Sequence, residues 1–162
     1  MTHAVIDSPL GPLTAVTENG FLAGLFMADQ RHRPDSSRFG PRDDSALPEL
    51  RDQLAAYWAG DLTHFTVPLA LRGTPFQQQV WAALQRVPYG TTCTYAELAA
   101  AIGRPTAVRA VGAANGRNPV CLVVPCHRVV GSGGALTGYA GGLVRKQLLV
   151  QHELTHSALL LG

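Results

Sequence analysis

Cys126 and His127, in Pro125-Cys126-His127-Arg128, are the residues whose types and spacing could do chemistry. A cysteine acts as a nucleophile through its thiolate, and nearby positive charge lowers its pKa from about 8.5 toward neutrality or below. Arg128 and a protonated His127 are the charges at hand. The apolar run Val120-Cys121-Leu122-Val123-Val124 reads as a strand, which places the motif at a strand end. Neighbours on extended chain point to opposite faces. A proton relay from Cys126 to His127 therefore needs a bend or a bridging water. Most Cys-His pairs are incidental, so the dipeptide alone does not assign an activity. Glu153 is one of two carboxylates after residue 72. It is either a solvated helix charge or the group that orients His127, as the third member of a relay does.

Two helices upstream must position this motif. Thr94-Tyr95-Ala96-Glu97 is a capping box opening a helix to about Ile102. Gly103-Arg104-Pro105 turns the chain, and Thr106 to Asn115 forms a second helix closed by Gly116. That is the outline of a helix-turn-helix. Ala107, Ala110, Gly112, Ala113 and Ala114 leave the second helix almost bald, with Arg109 and Arg117 as its charges. Such a helix suits either tight packing or close approach to a nucleic-acid backbone or narrow minor groove, one Arg projecting. Before it, Thr74 and Pro75 start a helix with a Phe76, Val80, Leu84, Val87 stripe, ended by Pro88-Tyr89-Gly90. After it, Gly131-Ser132-Gly133-Gly134 and Gly138-Tyr139-Ala140-Gly141-Gly142 serve turns or let backbone approach a flat ligand. Neither matches a Walker or dinucleotide loop, so no nucleotide cofactor is expected. Leu143 to Leu154 is a final helix.

The first half is of another kind. Strands run through residues 3–29, with a turn at Asp7 to Pro12 and a hairpin at Asn19-Gly20. A polar loop follows to Pro48, then a short helix through Leu50, Leu54 and Tyr57, and Phe65 to Leu71 alternates like a further strand. Residues 1–72 carry six Arg against nine Asp and Glu, a balance of −3. Residues 73–162 carry six Arg and one Lys against two Glu, a balance of +5. A half so stripped of carboxylates attracts polyanions, although a short Arg-rich chain can reach this split by chance.

Composition bounds the rest. With 162 residues, 46% hydrophobic and 15% charged, the chain can bury a core, in one compact unit or two small domains. No apolar run reaches the roughly 20 residues of a membrane span. The N-terminus lacks the features of a secretory signal. Three cysteines (Cys93, Cys121, Cys126) form no paired framework, which points to a reducing, cytoplasmic setting and leaves room for a reactive thiol.

Pro125-Cys126-His127-Arg128-Val129-Val130 followed by Gly138-Tyr139-Ala140-Gly141-Gly142 resembles the active-site signature of the O6-alkylguanine-DNA alkyltransferases. Gly73-Thr74-Pro75-Phe76-Gln77, Val80-Trp81, Pro88-Tyr89-Gly90-Thr91, Tyr95, Arg109-Ala110-Val111-Gly112, Asn118-Pro119 and His152-Glu153 fall in the family's order and spacing, and Asp7 to Leu13 resembles its opening. The resemblance implies an α+β fold: a small sheet-containing N-terminal domain (residues 1–72), then a helical C-terminal domain (residues 73–162) with the helix-turn-helix and the reactive cysteine. It implies that Cys126 takes the alkyl group from O6-alkylguanine irreversibly, once per molecule, with O4-alkylthymine a further candidate substrate. His127 would accept the thiol proton through a water, Glu153 would hold the imidazole, and Tyr95 would protonate the leaving guanine. Arg109 would replace the flipped nucleotide in the stack. Ala110, Asn118 and Arg128 are the other expected DNA contacts, Asn118 also bracing the active-site turn. Val129, Tyr139 and Ala140 would line the guanine. Expected, too, are a monomer on double-stranded DNA, bound in the minor groove, with no membrane and no cofactor. The zinc site of some members is not carried over, since no cysteine precedes residue 93. Position 93 is Cys where the family more often has Ser, and position 140 is Ala where some members have Ser. Two rivals remain: an alkyltransferase-like damage sensor, which would lack the cysteine, and a thiol hydrolase built on Cys126, His127 and Glu153.

Overall fold

The computed structural model describes residues 1–161. The chain divides into two compact units: Met1–Arg72 with Pro119–Val123, and Gly73–Asn118 with Val124–Gly162.

In the first unit, β1 (Thr2–Ile6), β2 (Leu13–Glu18) and β3 (Phe21–Met27) form an antiparallel meander in that order. The β2–β3 turn is Asn19-Gly20, both at positive φ (52° and 81°), as the tight hairpin turn with matching twist requires. One sheet edge is covered by residues 41–43, where His3 bonds to Pro41 O and Asp43 N. At the other, Leu22 bonds to Pro68 O and Ala70 N. Residues 65–71 thus make one bridge and not the expected strand, because Pro68 has no N–H to continue a ladder. Helix α1 spans Pro48–Trp58 and buries Leu50, Leu54 and Tyr57.

Residues 119–123 also depart from expectation. Val120 makes a single bridge with Leu25, and the chain then turns. Val123 N–H donates to Cys121 O across Leu122, whose φ is +75°. A left-handed residue ends extended chain at once, and Pro119 and Pro125 remove the donors on either side.

The second unit contains α2 (Pro75–Leu84), β4 (Cys93–Thr94), α3 (Tyr95–Ala101), α4 (Val108–Gly116), β5 (Val129–Val130) and α5 (Leu143–Leu161). Capping boxes open α2 (Thr74 with Gln77) and α3 (Thr94 with Glu97). The fully buried Trp81 donates its indole N–H to Ala114 O and ties α2 to α4. Strands β4 and β5 pair in parallel, Cys93 opposite Val129. Two residues are too few to leave a periodic trace in sequence. On α5, Lys146, Leu149 and Glu153 share one buried stripe at helical spacing.

Thr94→Ala removes the acceptor for Glu97 N–H at the start of α3. It should cost about 0.5–2 kcal/mol, read as a lower denaturant midpoint with an unchanged slope.

Candidate active site

The Cys126-His127-Arg128 segment is a 3-10 turn, not extended chain. Pro125, at φ −81° and ψ 63°, sets an inverse γ-turn in which Cys126 N–H reaches Val124 O at 2.8 Å. The three side chains are therefore not splayed to opposite faces as on a strand. All are buried, His127 completely.

Glu153 gathers two of them. Its Oε2 lies 2.7 Å from His127 Nε2, and its two oxygens accept Arg128 Nε (2.7 Å) and Nη2 (3.1 Å). Arg128 Nη1 donates to Val87 O at 2.7 Å. Gly90 N–H points at Glu153 Oε1, 3.4 Å away. Any Cβ on Gly90 would collide with Ser157 of α5, so only glycine fits there. Burial by itself would raise the Glu153 carboxyl; the hydrogen bonds and charges of His127 and Arg128 reverse this and hold it far below the usual carboxylate range. His127 moves down from its ordinary 6.5, because burial outweighs the pull of Glu153. The ring is thus neutral, its Nε2 proton directed at the carboxylate and Nδ1 left as an acceptor. Nδ1 is buried and has no hydrogen-bond partner.

The thiol differs from the simple expectation. Burial pushes Cys126 up, against the Asn118 hydrogen bond and the Lys146 charge that lower it. Arg128 is spent on Glu153, so its charge does not free the thiolate. At rest Cys126 is a thiol that needs a base. Lys146, which the sequence analysis passed over, is fully buried; its Nζ donates to Thr137 O (2.7 Å) and Gly138 O (3.1 Å) and lies 6.0 Å from the Tyr95 ring centre. The signal for it was its place seven residues before Glu153 on one helical stripe. Tyr95 Oη donates to Thr137 O at 3.1 Å. Burial raises its pKa, so the phenol keeps its proton.

Comparison with known proteins identifies the family. Residues 1–71 match the family model described as the ribonuclease-like domain of 6-O-methylguanine DNA methyltransferase, and residues 75–155 match its DNA binding domain. The methylated-DNA–protein-cysteine methyltransferase of Mycobacterium tuberculosis is 51% identical over 151 residues, covering 93% of this chain and 91% of that protein. The constitutive enzyme of that name from Bacillus subtilis is 44% identical, covering 86% of each. The chain belongs to the 6-O-methylguanine DNA methyltransferase family. A solved structure of the M. tuberculosis OGT in complex with DNA superposes with a TM-score of 0.90 at 49% identity, covering 96% of this chain and 94% of that one. The mixed fold, with its small N-terminal sheet and helical C-terminal part, is the one expected.

Within this methyltransferase framework the expected residues fall into two groups. Cys126, His127, Arg128 and Glu153 converge, with Tyr95 and Lys146 meeting at Thr137. Arg109 and Ala110 are exposed on α4. Two expected DNA contacts need correction. Arg128 is buried with its guanidinium held by Glu153 and Val87 O, so it cannot offer itself to a phosphate. Asn118 is buried and donates to Val124 O at 2.8 Å, bracing the turn before Cys126. Val129 is fully buried and its N–H already bonds to Cys126 O; Tyr139 is buried and Ala140 half-buried. Among the described residues no cluster of three or more His, Cys, Asp or Glu could hold a metal ion.

The site makes stability depend on acidity. Both His127 and Glu153 have folded pKa values below their unfolded ones. The unfolded chain therefore binds more protons, and stability falls as pH drops, first below about 6.5 for the histidine and then below about 4.5 for the carboxylate. Thermal midpoints should hold above about pH 7 and decline toward pH 5. A midpoint rising over that interval would contradict the assignment.

Proposed function

We propose that this chain repairs DNA by moving the alkyl group of O6-alkylguanine onto Cys126, once per molecule. Alkyl transfer from DNA to a protein cysteine is the activity by which its relatives are named. The observation that carries the assignment to Cys126 is the buried His127 Nδ1, an acceptor without a hydrogen-bond partner on the residue next to Cys126 in the same turn. His127 takes the Cys126 proton through a water. The thiolate sulfur then attacks the alkyl carbon, the S–C bond forms, and the C–O6 bond breaks. The electron pair left on guanine is neutralised by a proton from Tyr95 Oη, which must leave Thr137 O to give it. Glu153 stabilises the imidazolium, and Arg128 positions Glu153. The thioether is stable and nothing in the site removes it, so the protein is consumed.

A guanine inside a duplex must be turned out before a buried thiol can reach it. The exposed residues of α4 and its C-cap include Arg109, Ala110, Ala113 and Arg117, small residues flanked by two cations. Such a face lies close to a minor groove with Arg109 filling the emptied stack. The reading assigns residues 1–72 as an N-terminal domain and 73–162 as the DNA-binding and transfer domain. It also takes the protein as a cytoplasmic monomer whose guanine is bordered by Val129, Tyr139 and Ala140. No helix among the described residues is long and apolar enough to cross a membrane.

Incubation with methylated duplex should add one CH2 to Cys126 stoichiometrically. Cys126→Ser should bind DNA and gain nothing, because a serine hydroxyl is a far weaker nucleophile at neutral pH. A damage sensor would show no gain in the native protein; a thiol hydrolase would show turnover with no lasting adduct.

Arg109→Ala separates base flipping from simple binding. Its single-turnover rate on duplex should fall about tenfold or more, with a smaller loss on single strand or free base, where little stacking is broken. An unchanged duplex-to-single-strand ratio in a folded mutant would rule the flipping role out.

A further inference from the structure

We propose that Asn115, on α4, is a positioning residue for the proton relay: its side-chain oxygen seats the water that links the Cys126 thiol to His127 Nδ1. The inference rests on the alkyl-transfer reading and names a member of the relay that the family resemblance did not supply.

Two side-chain acceptors are buried without a hydrogen-bond partner around the reactive turn: His127 Nδ1 and Asn115 Oδ1. Asn115 is 4% exposed and points inward from α4. Its Nδ2 is directed at Cys126 O, 3.5 Å away. That contact fixes the amide's orientation, since a carbonyl only accepts and the reverse orientation would set two oxygens against each other. Oδ1 shares its carbon with Nδ2 and so lies beside the residue that carries the thiol. A buried acceptor left unmatched forfeits the hydrogen bonds it made to water, and one water shared by both atoms restores them. A buried water usually holds two to four polar partners. The thiol proton, His127 Nδ1 and Asn115 Oδ1 supply three. With Oδ1 and Nδ1 both accepting, the water's two hydrogens are committed and its lone pair faces the thiol. The water then receives the Cys126 proton as it passes one of its own to Nδ1, leaving a thiolate, an imidazolium and an intact water. Asn115 keeps its own protons throughout. It also places the relay on the helix that carries Arg109.

The titratable groups facing this chemistry are Cys126, His127 and Arg128 from the turn, Lys146 and Glu153 from α5, and Tyr95 from α3. Asn115 does not titrate, so a pH-dependent effect of its removal reports the relay.

The test is single-turnover alkyl transfer by the full chain from saturating methylated duplex, over about pH 6 to 10. Asn115→Leu should slow transfer about tenfold or more near pH 7, with the deficit shrinking as alkali ionises the thiol without help. Asn115→Ala, which leaves space for a second water, should show the same trend with a smaller deficit. His127→Gln combined with Asn115→Leu should be little slower than His127→Gln alone, because both act on one proton transfer. A deficit of equal size at every pH would mean Asn115 merely braces the Cys126 carbonyl, and no deficit would mean it does nothing; either overturns the inference. If Asn115→Leu does not fold, the Asn115→Ala profile decides by the same criterion. Transfer by the unmodified protein in the same series keeps the two readings apart. Its absence overturns both, whereas normal transfer with flat variant profiles overturns this one alone.

Discussion

A buried carboxylate that cannot be left alone is the constraint on which the second unit is built. Glu153 is 2% exposed and ionised, and stripping either partner from such a group strands a charge away from water. Its hydrogen bonds bring together chain that is distant in sequence: the 126–128 turn through His127 and Arg128, and α5 through Glu153 itself. Arg128 extends the network to Val87 O, beside the turn that Gly90 closes under α5. The carboxylate also decides the histidine's chemistry. By taking Nε2–H it leaves Nδ1 bare, and a base needs a free lone pair on the side facing its substrate.

The same arrangement explains a thiol that is inert at rest. A cysteine activated by an adjacent guanidinium would be a standing thiolate, open to any electrophile. Here Arg128 is withdrawn onto Glu153, burial holds the Cys126 proton in place, and Lys146 offers only partial compensation. For a protein used once, a nucleophile that waits for its base and its substrate avoids waste on the wrong partner.

Helix α4 reconciles two uses for small side chains. Val111, Ala114 and Asn115 face inward, where Ala114 O receives the Trp81 indole and Gly112 leaves room beside the Tyr95 ring. Arg109, Ala110, Ala113 and the C-cap Arg117 face outward. Packing and an open basic face thus occupy opposite sides of one short helix, and sparse side chains serve both.

Local rules were legible in the chain itself. The Asn19-Gly20 hairpin, the capping boxes at Thr74 and Thr94, the helices they open and the break at Pro88-Tyr89-Gly90 all follow from interactions within a few residues, and the structure has them. The Cys-His-Arg signature with Tyr139 to Gly142 was enough to place the family. Periodicity misled where proline and a left-handed residue intervened: residues 65–71 and 120–124 look like strands, yet each makes a single bridge. What a lysine, an asparagine or an arginine does here was decided by burial and by partners far along the chain. Arg128 reads as a surface cation until Glu153, 25 residues on, claims it. Lys146 and Asn115 read as ordinary helix residues until folding turns them inward. Short-range hydrogen bonds and steric rules are properties of the sequence, whereas the cost of desolvating a polar group, and what relieves it, exists only once the chain has closed around it.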